Sequence, residues 1–200
     1  MLPEKIIYIG VILNLVGAVW YIKTIAYGKT RPNLVSWFIW MLAPFVGVFL
    51  QIKAGAGLSF LGTFLAGFCP LTVIIFSLIK RNAFWKITTF DIICGSFSLL
   101  SLIIYILTNK LGVSILFAIL SDGLAAIPTI RKAWKFSETE TSFTYMLGII
   151  NHILALLIIR NWIFSIYSFS VYFIVMNLTI IFSIYHKKIF RTKIPSKSFG

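Results

Sequence analysis

The sequence predicts an all-α membrane protein of seven transmembrane helices. They form a 3+1+3 parallel repeat, two triple-helix bundles joined by a spacer helix. Three observations predict it. Apolar residues come in blocks of about 18–25, each long enough to cross about 30 Å of hydrocarbon as a helix. The basic residues gather on alternate loops. The first helix lies on the fifth when the chain is shifted by 108 residues. The chain is 60% hydrophobic and 12% charged, about half the charge of a soluble domain. A soluble helical core is excluded, because almost no polar face is left over for water.

The first helix is expected over 5–22. No small-residue cleavage site and polar mature start follow it, and Lys23, Lys29 and Arg31 do, so it reads as a retained helix rather than a signal peptide. The second, 34–52, contains Pro44. The third, 57–79, follows a short turn and ends at Lys80 and Arg81. These make the first bundle, residues 1–80. The spacer helix 87–107, within 81–109, carries Asp91 near one end, where a structural role suits it best. The fifth helix, 111–130, contains Asp122, Gly123 and Pro128 and runs into Arg131, Lys132 and Lys135. The sixth, 142–159, carries Asn151 and His152. After Arg160-Asn161 comes the seventh, 162–186, with Asn177. These complete the second bundle, residues 110–188. A polar cytoplasmic tail, 189–200, follows, and everything after His186 looks polar enough to be disordered. Connections at Lys53 to Gly57, Thr108 to Lys110 and Arg160-Asn161 are short enough to make their flanking helices antiparallel neighbours.

One side of the membrane receives Lys5, Lys53, Lys110 and Arg160, and the other receives the remaining fourteen of the 18 lysines and arginines. The positive-inside rule then puts the N-terminus outside and the C-terminus in the cytoplasm of a multi-pass protein, in keeping with a cell (inner) membrane. The +13 net charge is accounted for by loops that flank the bilayer and face its anionic headgroups. Nucleic acid is not an expected partner. The expected partners are the lipid bilayer and a small polar solute, and nothing in the residues forbids a homo-oligomer. Cys69 and Cys94 both fall inside spans, so no disulfide is expected.

The repeat is legible in residues. Residues 11–25, "VILNLVGAVWYIKTI", face 119–133, "ILSDGLAAIPTIRKA", with Asn14 on Asp122, Ala18 on Ala126 and Lys23 on Arg131. Near the ends of the third and seventh helices, "LTVIIFS" recurs as "LTIIFS", each followed by basic residues. Two three-helix units fused directly would be inverted. The extra helix between them restores a common orientation, a parallel repeat about the membrane normal.

Counting depth at 1.5 Å per residue brings the polar residues into one layer. Asp122 is nine residues from Arg131, Asn14 nine from Lys23 and Asn177 nine from His186, while Asn151 and His152 are eight or nine from Arg160. That is about 14 Å deep in each case. An aspartate there costs about 2.5–3.5 kcal/mol, so it must face the bundle interior, another polar residue or water. The substrate-binding candidates are Asn14, Asp122, Asn151, His152 and Asn177, with Trp40 deep enough to cap them. Asn14 and Asn151 would also serve as interhelical hydrogen-bond glue. Asp122 and His152 are the candidates for proton coupling. Pro44, Gly123 and Pro128 are the candidates for gating: Pro128 leaves the carbonyl of Leu124 without its helical partner and bends the helix.

With its repeat, its spacer and the segments "AAIPTIRKAWKFSETETSFTY" (125–145) and "YIKTIAYGKTRPNLVSW" (21–37), the chain resembles the SWEET and PQ-loop transporter superfamily. It is similar to it as a divergent member, since Pro128 is followed by Thr129 and not by glutamine. The resemblance implies a carrier or facilitator working by alternating access, for a sugar, amino acid or vitamin-like solute. It also implies a substrate contact at Asn177. A non-transporting receptor or scaffold of the same fold is the alternative, as the KDEL receptor shares the architecture. No enzyme is expected. The sequence has two histidines, His152 and His186, and neither metal-ligand spacing nor a nucleophile–base set. No cofactor and no metal site are expected.

Overall fold

The computed structural model describes residues 3–80, 84–107 and 111–191. Among them are seven α-helices: α1 (Ile7–Ala26), α2 (Leu34–Lys53), α3 (Phe60–Ile79), α4 (Thr89–Leu107), α5 (Leu111–Lys135), α6 (Ser142–Leu157) and α7 (Phe164–Arg191). The apolar blocks become helices, and local chemistry sets several of their ends. Asn33 caps α2, its side-chain oxygen accepting from the Val35 and Ser36 amides. Thr88 and Asp91 form a capping box on α4. The Asp91 carboxylate accepts from the Thr88 amide at 2.7 Å, and the Asp91 amide donates to the Thr88 hydroxyl. Asp91 therefore has a structural role, as the sequence suggests. α1 and α2 end at Gly28 and Gly55, with φ of 69° and 78°. The next amides, of Lys29 and Ala56, reach back to the carbonyls of Thr24 and Gln51, a closure that favours glycine.

Among the described residues, five segments are long and apolar enough to cross a membrane: Glu4–Ala26, Leu34–Lys53, Gly57–Ile79, Gly112–Lys135 and Phe164–Ile189. The apolar stretches Thr89–Ile104 of α4 and Ser142–Leu157 of α6 are shorter. α6 has 16 residues, a rise of about 24 Å, against the 142–159 expected. Ile158 and Ile159 follow it outside the helix and are buried.

The exterior is apolar and much of the interior polar, the reverse of a soluble domain. Ile79 and Leu107 are 75% exposed and Val19 66%, while Asn14, Gln51, Thr63, Asp122, Asn151, His152 and Asn177 are buried.

α3 packs on both α1 and α2, and α7 on both α5 and α6. The two groups meet through α1 on α6 and α2 on α5, and α4 lies mainly on α5. There the Ser121 hydroxyl donates to the carbonyl of Ser98 at 2.7 Å. The helix pairs expected to be neighbours from their short connections, α2–α3, α4–α5 and α6–α7, do pack together.

Several boundaries differ from expectation: α1 runs to Ala26 rather than 22, α3 starts at Phe60 rather than 57, α7 starts at Phe164 rather than 162, and the largest differences, five residues each, are at the ends of α5 and α7. α5 ends at Lys135 rather than 130, and α7 at Arg191 rather than 186. The two ends support one another. Trp134 stacks on His186 at 3.7 Å, and the Lys187 ammonium donates to the Lys135 carbonyl at 2.8 Å. Favourable charge at a helix C-terminus extends both helices past their apolar stretches. Of the expected tail, residues 192–200 lie outside the described residues, as do Arg81 and the 108–110 turn. Pro44, Pro70 and Pro128 all sit inside their helices. Each necessarily leaves the carbonyl four residues earlier without a helical partner.

Candidate functional site

Midway along the bundle, where the two groups of helices meet, is a cavity of about 70 Å³. Its polar lining is Asn14 of α1, Cys69 of α3, Thr144, Tyr145 and His152 of α6, and Asn177 of α7. Trp37 and Trp40 of α2 and Phe173 of α7 supply aromatic walls. Cys69 donates through sulfur to the Asn14 side-chain oxygen at 3.6 Å. The Thr144 hydroxyl donates to the Gly17 carbonyl at 2.7 Å, tying α6 to α1. Asn177 reaches its place because α6 has glycine opposite: a Cβ on Gly148 would stand 3.1 Å from its amide nitrogen. His152 stacks on Phe173 at 4.6 Å, and its Nδ1 is buried without a partner among the described residues.

Four of the six expected binding residues thus line one cavity: Asn14, Trp40, His152 and Asn177. The other two do not. Asp122 lies on the side of α5 turned toward α7, where its carboxylate accepts from the Tyr172 hydroxyl at 2.7 Å. Its second oxygen is buried and without a partner among the described residues. Its carbonyl reaches the cavity wall, accepting from the Trp40 indole at 3.3 Å. The two candidates for proton coupling have separate partners, Tyr172 for Asp122 and Phe173 for His152. Asn151 is interhelical glue. Its amide donates to the Gly62 carbonyl of α3, and it packs against Gly10 of α1, where a Cβ would come within 2.7 Å of its oxygen. A Cβ added at Gly123 would meet Tyr172 at 3.6–3.8 Å, an ordinary contact distance.

A second constellation was not anticipated. Between α5 and α6 the Glu140 side chain is wholly buried, ion-paired to Lys132. Its carboxylate also accepts from the Tyr21 hydroxyl at 3.0 Å and the Tyr145 hydroxyl at 3.3 Å. The Lys132 ammonium donates in addition to the Arg31 carbonyl. One network therefore joins α1, α5, α6 and the α1–α2 connection. Below it Tyr21 packs on Trp37 at 4.6 Å and Trp37 on Trp40 at 5.6 Å. Trp37, Trp40 and Tyr145 all line the cavity, so aromatic rings and then a charged latch stand over this end. Only five acidic residues occur in the chain. Glu140, five residues after the cluster Arg131, Lys132 and Lys135, was the available signal. The far end has an exposed pair instead, Arg160 to Glu4 at 2.8 Å, with Arg160 74% exposed.

Among the described residues no group of three or more His, Cys, Asp or Glu is arranged to hold a metal ion. Cys69 and Cys94 are both free thiols. Comparison with family models, curated proteins and solved structures finds no match to this chain.

Proposed function

We propose that this protein is a membrane carrier or facilitator for a small polar solute, working by alternating access in the manner of the SWEET and PQ-loop superfamily. The observation that carries the reading is the cavity. Asn14 from the first three helices and Asn177 and His152 from the last three converge on it halfway along the bundle. An ionisable side chain buried at that depth in a membrane, here His152, is a functional-site candidate by default. The helix contacts support a 3+1+3 repeat: exchanging α1, α2 and α3 for α5, α6 and α7 leaves the main pairings unchanged. α1 on α6 becomes α5 on α2, and the packing of α3 becomes that of α7. The spacer α4 stands outside this relation.

In this reading the two bundles rock about the cavity, with Pro44 and Pro128 as flex points. The end bearing Lys132 is cytoplasmic by its charge, and the latch holds it shut. A cavity of about 70 Å³ takes a few waters and is well below the roughly 300 Å³ of an ordinary ligand site. In this reading the cavity widens during the cycle to admit solute. The exposed Arg160–Glu4 pair holds the far end weakly, since such pairs contribute no more than about 1 kcal/mol. The test is counterflow in proteoliposomes, after a thermal-shift screen of sugars, amino acids and vitamins. Saturable exchange that Asn177→Ala abolishes is the expected result. Saturable binding with no exchange would sink the carrier and leave the receptor of the same fold.

A further inference from the structure

A second cavity, of about 410 Å³, opens between the first turn of α4 and the last turns of α5. We propose that it is a binding site for the phosphate headgroup of an anionic phospholipid. The proposal rests on the chain being membrane-embedded and not on its transporting anything.

Arg131, Lys132 and Lys135 line the cavity from α5, with Trp85, Thr89 and Phe136 around them. Lys132 is already held by Glu140. Arg131 and Lys135 are not neutralised: both are exposed, and neither forms a salt bridge among the described residues. They are one helical turn apart and so share a face. Arg131 is held over the Phe90 ring at 4.5 Å, which leaves guanidinium edges free for phosphate oxygens. The single carboxylate in the lining, Asp91, is bound to the Thr88 amide and hydroxyl at 2.7 and 2.9 Å. Trp85 and Phe136 pack together at 5.2 Å, an aromatic pair where the apolar run of α5 gives way to charge, the depth at which lipid headgroups lie.

The occupant is a lipid rather than a free anion because of the neighbouring surface. Further along α4, from Ile92 to Leu99, an apolar cleft of about 360 Å³ is lined also by Ile87, Val35, Phe38 and Ile74. Phosphate-binding cations at the first turn of α4 and an acyl-sized apolar cleft along its next turns match the two parts of one phospholipid. Basic pockets between helices at this depth are suited to such headgroups.

The experiment uses the full chain in zwitterionic detergent. Lipid retention is read by native mass spectrometry, and thermal stability is read against phosphatidylglycerol, phosphatidylcholine or inorganic phosphate. Phosphatidylglycerol is expected to be retained and to stabilise, and phosphatidylcholine is not. Losing one cation weakens retention about fivefold, and Arg131→Ala with Lys135→Ala about thirtyfold. Lys23→Ala with Lys29→Ala removes as much charge from the same side, outside the cavity, and is expected to change little. If the alanine pair folds poorly, Arg131→Gln with Lys135→Gln preserves side-chain length and gives the same readout. Equal loss in the control pair would mean diffuse attraction and overturn the site. Equal retention of phosphatidylcholine would overturn its selectivity for anionic lipid. Full stabilisation by inorganic phosphate alone would make it a free-anion site and overturn the lipid assignment.

Discussion

Glu140 answers to a lysine and two tyrosines at once, with its side chain wholly buried. Removing one member of a buried pair strands the other, at about 3–5 kcal/mol. Glu140→Gln is therefore expected to lower the midpoint of thermal unfolding sharply. Glu140→Leu combined with Lys132→Met should recover most of the loss, since an apolar pair leaves no charge uncompensated. At the cavity, Asn14→Ala and Asn177→Ala are expected to lose solute binding in calorimetry with little change in stability. Both side chains line open space. Asp122 predicts a different phenotype. Asp122→Asn keeps an acceptor for Tyr172 but removes the carboxyl group that proton coupling would use. Transport that varies with pH should lose that variation in Asp122→Asn and keep it in Asn14→Ala. An unchanged pH profile in the aspartate variant would end proton coupling there.

Among the helices, α1 and α6 approach closely because glycines face them. A Cβ at Gly10 would stand 2.7 Å from the Asn151 oxygen and 3.2 Å from its Cα. Gly10→Ala therefore overpacks this seam and should cost about 1–3 kcal/mol. Asn151→Ala in the same chain should restore part of that, because it clears the oxygen and leaves the Cα. A double-mutant cycle on unfolding midpoints measures the coupling, and strict additivity would contradict the contact. Helix existence was legible from apolar block length alone. Helix ends were less so. The extensions of α5 to Lys135 and of α7 to Arg191 depend on Trp134 stacking on His186 and on Lys187 reaching the Lys135 carbonyl. Those contacts span about fifty residues of sequence, and a window on one helix cannot contain them.

For the molecule as a whole, Cys69 is a native reporter, a free thiol in the cavity wall. In a Cys94→Ser background, a membrane-impermeant maleimide added from the Lys132 side should label Cys69 slowly. Glu140→Gln opens the latch and should accelerate that labelling, and bound solute should slow it again. Labelling that is fast in the parent chain and indifferent to Glu140 would show that this end is not held closed by the network.

The sequence by itself determined the all-helical class, the order of the elements and how far along its helix each of Asn14, Asp122, Asn151, His152 and Asn177 lies from a charged rim. A helix rises by the same amount per residue whatever it packs against, so distance from a charged rim is a property of one segment. Tertiary structure decided direction and partnership. Asn14, Asp122 and Asn177 all count to the same depth, yet Asp122 turns to Tyr172 and leaves the cavity to the two asparagines. Lys132 and Glu140 read as loop charges, and packing buried them against Tyr21 and Tyr145. Which face of a helix points inward is settled by the helices around it, and a charge survives burial only where a partner from elsewhere in the chain arrives to meet it.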